Sequence, residues 1–422
     1  MFPMILKCLG GCREVGRNGF LLQNKRENIL LDFGMKIDTG ETPIPPKDVD
    51  TILLSHQHMD HSGATPTLFR RFNKKEPKIY ATSECFDHTH MLLKDSMKIA
   101  RIKGRPALFT EPDVKKMAQN QVKVTYGQQF STPSSKIDVL DAGHIPGSVM
   151  FLINSEGKRV LYTGDYNLQD TKLLKGANIN NLKDIDTLIM ESTYSSREHS
   201  DRAETEKKLL SIVKETVENG GTAIIPSFAV GRAAEVIAIL EKISKKIPVF
   251  LDGMARQATR TTMNYPELLK DPTILERAIK NTTFIRSEKD RQKVLDQPCA
   301  IVTTGGCLDG GPVVHYIKRF YTREDCSMTF TGFMIPRTAG RYLQDTGHFV
   351  NEDMDLKMKM QMNYLDFSGH AGRSDLMKTV QTIRPKKVIC IHGDHCERFA
   401  TELKGRFGIE TFAPVPGQVI DI

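Results

Sequence analysis

Four metal-capable side chains lie within one short segment that directly follows an apolar run. The run TILLS, at residues 51–55, is typical of a buried strand, and the next residues supply His56, His58, Asp60 and His61. Imidazole and carboxylate groups are common zinc ligands, and an HxHxDH segment on a tight loop can present ligands to two ions. An isolated histidine is more often a structural residue, but this clustering favours metal binding. Two ions need further ligands, so a sheet must bring other strand ends to this loop.

Three later strand ends offer the missing ligands. His144 lies in DAGHIPGS, Asp165 in LYTGDYN and His392 in CIHGD, each after a run that reads as a strand. One carboxylate can present an oxygen to each of two ions, so we expect Asp165 to bridge them. We expect His392 to complete the second site. The sequence therefore predicts a centre that holds two Zn²⁺ ions.

The order of apolar runs indicates two domains, one inserted in the other. Residues 4–32 alternate short apolar runs with turn residues, which is typical of a β-meander. Helical spacing then begins in AETEKKLLSIVKETVENG and AAEVIAILEKISKK, separated by a strand-like run, as in a doubly wound α/β unit. The 422 residues exceed the usual size of a single core. We expect the first domain to cover 1–195 and 361–422, and the inserted domain to cover 196–360.

The motifs, and the order in which they follow one another, resemble those of a known superfamily, and the resemblance covers nearly the whole chain. HxHxDH, the later histidine and the later aspartate are similar to the metallo-β-lactamase superfamily, and ESTYSSREHS, DFSGHAGRSD and VICIHGDH resemble the added motifs of its β-CASP nucleases. Further segments, GGCREVGRN, PSFAVGRAAE, TGGCLDGGP and TGFMIPRTAGR, resemble the nuclease of the cleavage and polyadenylation factor in a short archaeal form, with ribonuclease J as the nearest sibling. The resemblance implies a metallo-β-lactamase αββα sandwich with an inserted β-CASP α/β domain.

The resemblance also implies how the ligands divide between the two ions. One zinc would take His56, His58, His144 and Asp165, and the other would take Asp60, His61, Asp165 and His392. Asp32, in LLDFG, resembles the acidic residue of the superfamily's first motif, which hydrogen-bonds to metal ligands and orients them without binding the metal itself.

Three residues carry the catalytic roles that the β-CASP resemblance implies. His370 would protonate the leaving ribose oxygen, and Glu191 would orient His370 and raise its proton affinity. We expect Asp60 to be a catalytic residue as well as a metal ligand. The alternative for His370 is a capping role beside the neighbouring glycines. The histidine at the third motif, His392, favours RNA over DNA as the substrate.

Gly-rich turns and arginines of the inserted domain are candidates for RNA contact. We expect Arg232, Arg341, Ser227 and Gly332 to bind the phosphates or bases of a single-stranded RNA. For Arg337, a role in RNA contact and a role without RNA contact both stay open. Alternatively, the glycines serve only to allow tight turns. A net charge of +8 gives weak support to a nucleic-acid partner, and the resemblance is compatible with a homodimer.

The remaining sequence patterns indicate the cellular compartment and leave alternative functions open. The first apolar run is too short to span a membrane and lacks a signal-peptide layout, so we expect a cytoplasmic protein whose eight cysteines are reduced. His88 and His90 begin an amphipathic helix and are expected at the surface. We therefore predict a zinc-dependent ribonuclease, acting as an endonuclease, a 5′ to 3′ exonuclease or both. The alternatives are a catalytically silent RNA-binding scaffold and a small-molecule ester or thioester hydrolase.

Overall fold

The computed structural model describes residues 4–71 and 76–422, without the side chain of residue 71. The described chain forms two compact units. The first comprises the described residues up to Asp170 together with Gly176–Glu198 and Gly369–Ile422, and the second comprises Thr171–Lys175 and His199–Ser368.

The first unit begins with the antiparallel meander that the sequence predicts. In this unit, the elements before the insertion are β1 (Ile5–Gly10), β2 (Gly19–Gln23), β3 (Asn28–Leu31), β4 (Thr51–Leu53), α1 (Met59–Ser62), α2 (Thr65–Arg71), β5 (Lys78–Thr82), α3 (Ser83–Ile102), α4 (Glu111–Gln119), β6 (Gln121–Val124), β7 (Gln129–Ser131), β8 (Ser135–Asp141), β9 (Val149–Ser155), β10 (Lys158–Tyr162) and β11 (Thr187–Glu191). Strands β1, β2 and β3 pair antiparallel in sequence order, which confirms the meander.

The second unit alternates helices with strands. Its elements are α5 (Arg202–Glu218), β12 (Thr222–Ser227), α6 (Arg232–Leu240), β13 (Val249–Asp252), α7 (Ala255–Met263), a 3₁₀ helix (Pro266–Leu268), α8 (Pro272–Asn281), β14 (Thr282–Phe284), α9 (Glu288–Val294), β15 (Cys299–Thr304), α10 (Val313–Phe320), β16 (Ser327–Phe330), α11 (Ala339–Thr346), β17 (His348–Asn351), β18 (Met354–Lys357) and β19 (Gln361–Tyr364). The helix expected over residues 233–246 ends at Leu240, because Ile243 N–H bonds the carbonyl of Leu240 in a tighter turn.

The chain then returns to the first unit and completes it. The closing elements are α12 (Arg373–Ile383), β20 (Lys387–Ile391), α13 (Cys396–Phe407), β21 (Glu410–Phe412) and β22 (Val419–Asp421). Strand β22 pairs with β1, and β20 pairs parallel to β11, so both sheets of the first unit combine strands from before and after the second unit in the sequence.

Two seven-stranded sheets form the middle of the first unit. Their strand orders are β22-β1-β2-β3-β4-β5-β6 and β21-β20-β11-β10-β9-β8-β7. Apolar side chains from both sheets, such as Phe20 and Phe151, share one buried cluster. The outer face of the first sheet packs against α2, α3 and α4, and that of the second packs against α12 and α13. This layering is the predicted αββα sandwich.

A parallel sheet organises the second unit. Its strand order is β14-β13-β15-β12-β16-β19, and every pairing in it is parallel, with apolar clusters on both faces. The predicted inserted α/β domain is therefore present. Residues 361–368 lie in this unit rather than in the returning segment, because β19 extends the sheet beside β16. The predicted domain limits of 1–195, 196–360 and 361–422 stay a prediction.

In the described part of the chain, no helix combines the length and the apolar character that crossing a membrane requires. All eight cysteines carry free thiols.

Candidate metal centre and catalytic pair

The candidate ligands all lie in the first unit, at the ends of its strands. His56, His58, Asp60 and His61 follow β4 and run into the short helix α1. His144 follows β8, Asp165 follows β10, and His392 directly follows β20. Because β8, β10 and β20 belong to one sheet and β4 to the sheet packed against it, these ends can meet at one edge of the sandwich.

Backbone hydrogen bonds hold the loop that carries HxHxDH. They come from the residue before β2 and from the segment after β3. Asn18 N–H donates to the carbonyl of Asp60 at 2.8 Å, and Phe33 N–H donates to that of His61 at 2.8 Å. Gly34 passes so close that a Cβ there would lie 1.7 Å from the Asp60 carbonyl oxygen. A side chain at this position would therefore displace the ligand loop.

The first ligand group consists of His56, His58, His144 and Asp165. His58 Nδ1 lies 3.1 Å from His56 Nε2 and 3.3 Å from His144 Nε2. Oδ2 of Asp165 lies 3.5 Å from His56 Nε2 and 3.8 Å from His144 Nε2. Ligands at the usual Zn–N distance in a tetrahedral site lie roughly 3.3 Å apart. The donor atoms of this group therefore fit around one small cation.

The second group consists of Asp60, His61 and His392, and Asp165 contacts it as well. His392 Nε2 lies 3.2 Å from Asp60 Oδ2, and His61 Nε2 lies 3.2 Å from Asp165 Oδ2. The other Asp165 oxygen, Oδ1, lies 3.1 Å from His392 Nδ1 yet makes no aligned hydrogen bond with any described residue. A buried carboxylate oxygen without a hydrogen bond is costly, and a cation would satisfy it.

Buried acceptors behind the ligands decide which imidazole nitrogen faces inward. Asp32, fully buried, contacts His61 Nδ1 at 2.7 Å and accepts hydrogen bonds from Ser55 Oγ and Tyr162 Oη, both at 2.6 Å. The carbonyl of Gly369 accepts from His144 Nδ1 at 2.8 Å. These bonds leave Nε2 of both histidines directed at the ligand groups, as is usual for metal-binding histidines.

Burial and neighbouring charges shift the pKa values of the ligand side chains in opposite directions. Burial lowers the pKa of His56 and of His144 and brings that of His58 to about 4. Burial opposes protonation of His392 too, but the adjacent Asp165 raises its pKa to about 10. For Asp165, burial acts against ionisation, yet His392 and His61 hold its pKa well below the usual range. A divalent cation bound by these side chains would take the place of the protons that His392 and His61 otherwise hold.

Glu191 and His370 form a hydrogen-bonded pair beside the ligands. Nδ1 of His370 lies 2.9 Å from Oε2 of Glu191, which is fully buried and also accepts from Tyr166 N–H and Thr193 Oγ1. Burial opposes the charged form of His370, but Glu191 raises its pKa above the usual value. The His370 ring centroid lies 4.6 Å from that of His144. His370 therefore lies next to the candidate ligands, with its Nδ1 held by Glu191.

The candidate RNA contacts lie in the second unit, near the carboxyl ends of its parallel strands. Ser227 ends β12 and is buried, with Oγ 3.3 Å from Thr331 Oγ1, while Gly332 follows β16 and is half-buried. Arg232 begins α6, and Arg341, on α11, is exposed and pairs with Asp345 at 2.8 Å. Arg337 is exposed in the loop before α11. Their roles in RNA binding stay a prediction.

One expectation about a histidine is wrong. His88, expected at the surface, is fully buried in α3, where its Nδ1 lies 3.6 Å from Oε1 of the buried Glu84, whereas His90 is half-buried. The apolar face of α3 packs on the sheet, and His88 lies on that face.

Comparison with known proteins identifies three domains along the chain. The metallo-β-lactamase superfamily matches residues 12–210, the Beta-Casp domain matches 233–343, and the Zn-dependent metallo-hydrolase RNA specificity domain matches 355–414. A crystal structure of a protein of unknown function from Enterococcus faecalis has a TM-score of 0.64 and 16% identity, with all of both chains covered, so it shows the same fold.

Curated relatives match over almost the full length. A probable RNase MJ4 from Methanocaldococcus jannaschii is 36% identical, covering 98% of this chain and 99% of its own, and RNase aCSPSF2 from Saccharolobus solfataricus is 33% identical, covering 99% and 85%. Transcription termination factor FttA from Methanosarcina mazei is 33% identical over 96% of this chain and 69% of its own. On this evidence the chain belongs to the metallo-β-lactamase/β-CASP ribonuclease family.

Proposed function

We propose that this chain is a two-zinc ribonuclease that hydrolyses phosphodiester bonds of single-stranded RNA. The observation that carries the proposal is the gathering of seven candidate ligands around Asp165, which belongs to the group of His56, His58 and His144 and lies 3.2 Å from His61 Nε2 and 3.1 Å from His392 Nδ1. Relatives over almost the full length are named as ribonucleases, and the match at residues 355–414 is to an RNA specificity domain.

The donor set supports zinc, and its division supports two ions. Imidazole nitrogen with carboxylate oxygen suits zinc better than the all-oxygen shells of magnesium or calcium. The first ion would take His56, His58 and His144 with Asp165. The second would take Asp60, His61 and His392, and Asp165 is close enough to His61 and His392 to serve it too. Bound zinc supplies Lewis acidity that stabilises charge developing on a phosphodiester.

The charge of the loaded centre supports an anionic substrate. Two divalent ions bring four positive charges, and the ligand carboxylates Asp60 and Asp165 remove two of them. The remaining positive charge would lie among buried side chains, where it would attract a phosphodiester more strongly than it would in water.

His370 would act as the general acid. Glu191 engages Nδ1, so Nε2 is the nitrogen that would give a proton to the leaving ribose oxygen. An alkoxide is a poor leaving group, and protonation by a positioned side chain typically contributes ~10² to 10⁴ in rate. Glu191 would keep His370 in the tautomer and orientation that this step needs.

A panel of substrates separates the proposal from its rivals. Purified protein is incubated with labelled single-stranded RNA, a thioester and a lactam, each with and without chelator, and with zinc added back. We expect only RNA to be cut, with cleavage lost on chelation and restored by zinc. Cleavage of the thioester or lactam alone would establish a small-molecule hydrolase, and RNA binding without any cleavage would establish a silent scaffold.

The proposal covers both endonuclease and 5′ to 3′ exonuclease action, and one experiment assigns the mode. RNA carrying a 5′ hydroxyl, monophosphate or triphosphate is cut, and the products are mapped. Internal products that do not depend on the end group identify an endonuclease, whereas mononucleotides that require a 5′ monophosphate identify an exonuclease. We also expect a homodimer, and a single sedimenting species with the mass of one chain would reject it.

A further inference from the structure

Among the described residues, the exposed aromatic side chains all belong to the second unit. They are Phe228, Phe333, Tyr342 and Tyr364, each at least 39% exposed, whereas the exposed large apolar residues of the first unit are aliphatic. Tyr364 stacks on the buried ring of Phe330, with centroids 5.1 Å apart, and Tyr342 lies on α11. Phe228 and Phe333 instead lie in loops that follow strands of the parallel sheet.

The strands that precede Phe228 and Phe333 are neighbours in the sheet. Phe228 comes directly after β12, and Phe333 lies three residues after the end of β16, which pairs parallel to β12. Ser227 Oγ lies 3.3 Å from Thr331 Oγ1, so the two strands still lie side by side where these loops begin. The carboxyl ends of parallel strands meet at one edge of a sheet, where α/β units usually bind their ligands. Both exposed rings therefore lie at that edge.

Hydrogen bonds and buried neighbours hold the backbone of both loops. The Phe228 carbonyl accepts a hydrogen bond from Ala233 N–H at 3.1 Å, in the first turn of α6. Thr331 Oγ1 donates to a backbone carbonyl of β12 at 3.3 Å, and Met334, which follows Phe333, is buried in the apolar core of this unit. A rigid aromatic side chain offers a large contact area and loses little conformational entropy on binding. The fold therefore presents both rings to solvent on an ordered backbone.

The loops that carry the two rings contain arginines and no acid. Residues 228–232 and 331–341 include Arg232, Arg337 and Arg341, and neither segment contains aspartate or glutamate. Arg341 pairs with an acid one turn further along α11, whereas Arg337 is exposed and has no ion-pair partner among the described residues. Aromatic faces beside uncompensated positive charge complement a polyanion that carries flat bases. Single-stranded nucleic acid has this chemistry.

We propose that Phe228 and Phe333 form a stacking platform for the bases of single-stranded RNA, and that Arg337 contacts a phosphate of the same strand. The inference rests on the proposed function and deepens it, because it assigns recognition of the bases to the second unit. Each ring is adjacent in sequence to an expected RNA contact, Ser227 or Gly332. Every base has a face that can stack, so the platform would hold RNA with little sequence preference.

Because the chain contains no tryptophan, a single substitution can report stacking directly. Phe228→Trp and, separately, Phe333→Trp place one indole on the platform, in the slowly cutting His370→Ala background. We expect titration with single-stranded RNA to quench the indole fluorescence at both positions, because a base stacks on the ring. Ile102→Trp, at the exposed end of α3 in the first unit, is the matched control and should keep its fluorescence.

Affinity measurements separate stacking from simple apolar contact. Phe228→Leu and Phe333→Leu keep an apolar side chain but remove the aromatic face, and each should weaken binding of single-stranded RNA about 5-fold or more. Phe333→Tyr keeps the face and should bind as wild type does. An abasic RNA of equal length keeps the phosphates without the bases, so the leucine variants and wild type should bind it equally. Because both rings are exposed, the leucine variants should also keep the wild-type thermal midpoint.

Salt titration tests the phosphate contact of Arg337. Dissociation constants for single-stranded RNA are measured over a range of KCl in the same His370→Ala background. Adding Arg337→Ala should reduce the slope of log affinity against log salt by about 0.7, whereas adding Phe333→Leu should leave that slope unchanged. An unchanged slope in Arg337→Ala would remove this residue from the proposed site.

Wild-type RNA affinity in both leucine variants, with no quenching of either indole, would overturn the proposal. If those variants instead change the sedimenting mass of the protein, the exposed rings belong to an interface between copies of this chain, which would also overturn it. Both outcomes are separate from failure of the proposed function, which would appear as a lack of chelator-sensitive RNA cleavage by wild-type protein.

Discussion

His370 Nδ1 lies 2.9 Å from Oε2 of Glu191, a carboxylate that is fully buried. The preceding residue, Gly369, offers its carbonyl oxygen to His144 Nδ1 at 2.8 Å. One short segment therefore holds both the proposed proton donor and a proposed metal ligand in place. A change in this segment should affect proton transfer and metal binding by separate routes, and variants can distinguish them.

Replacing His370 with alanine should separate catalysis from metal binding. His370→Ala removes the proposed acid and leaves all seven ligands, so metal content should stay at the wild-type value while kcat falls by ~10² to 10⁴. Elemental analysis and single-turnover cleavage of labelled RNA measure the two quantities. His348→Ala, at a half-buried site in the second unit, serves as the control. Unchanged kcat in His370→Ala would remove this residue from the acid role.

Glu191→Gln should act through His370 rather than on the substrate. The amide keeps the size of the side chain but loses the charge that raises the His370 pKa. We expect kcat to fall by about 10 to 100-fold, with metal content retained. If His370→Ala is already present, adding Glu191→Gln should have little further effect, because partners that act as a unit are not additive. Independent, multiplying losses in the double variant would contradict the pairing.

Asp165→Asn should disturb both ligand groups at once. Asp165 lies 3.2 Å from His61 in one group and 3.5 Å from His56 in the other, and an amide cannot give a charged oxygen to each of two ions. Metal content should fall from about two ions per chain towards zero. Asp394→Asn, an exposed acid close in sequence to His392, is the matched control. Wild-type metal content in Asp165→Asn would reject the shared-ligand assignment.

Asp32→Asn should weaken metal binding without removing a ligand. Asp32 contacts His61 Nδ1 at 2.7 Å and accepts from Ser55 N–H at 2.7 Å. Loss of such an orienting acid typically costs 10 to 100-fold in metal affinity, so competition with a graded chelator should show a shift of about that size. Tyr162→Phe removes a single hydrogen bond to the same carboxylate and should cost only ~1 kcal/mol of stability, with a smaller change in affinity.

The sequence was informative wherever ligands follow strands. His56, His58, Asp60 and His61 come directly after β4, and His392 directly after β20, so the periodicity of the strands was enough to place these groups at strand ends. The resemblance then supplied the order and the inserted domain, which the two sheets of the first unit and the parallel sheet of the second confirm.

Contacts that depend on the packed interior were not predictable in this way. Tyr162 is the last residue of β10, and in the sequence nothing distinguishes it from other buried aromatic residues. Only the packing of the two sheets brings its hydroxyl to Asp32. The carbonyl of Gly369 leaves no signal in a sequence, since every residue has one. His88 was misjudged for the same reason: helical spacing shows that a face exists, but the sheet decides which polar residues that face buries.

The most direct test of the account is a crystal structure of the protein as purified, with anomalous differences collected on both sides of the zinc absorption edge. We predict two zinc peaks per chain, one within bonding distance of His56, His58 and His144 and one near Asp60, His61 and His392, with the carboxylate of Asp165 reaching both. A single peak, or two peaks with Asp165 bonded to neither, would contradict the account.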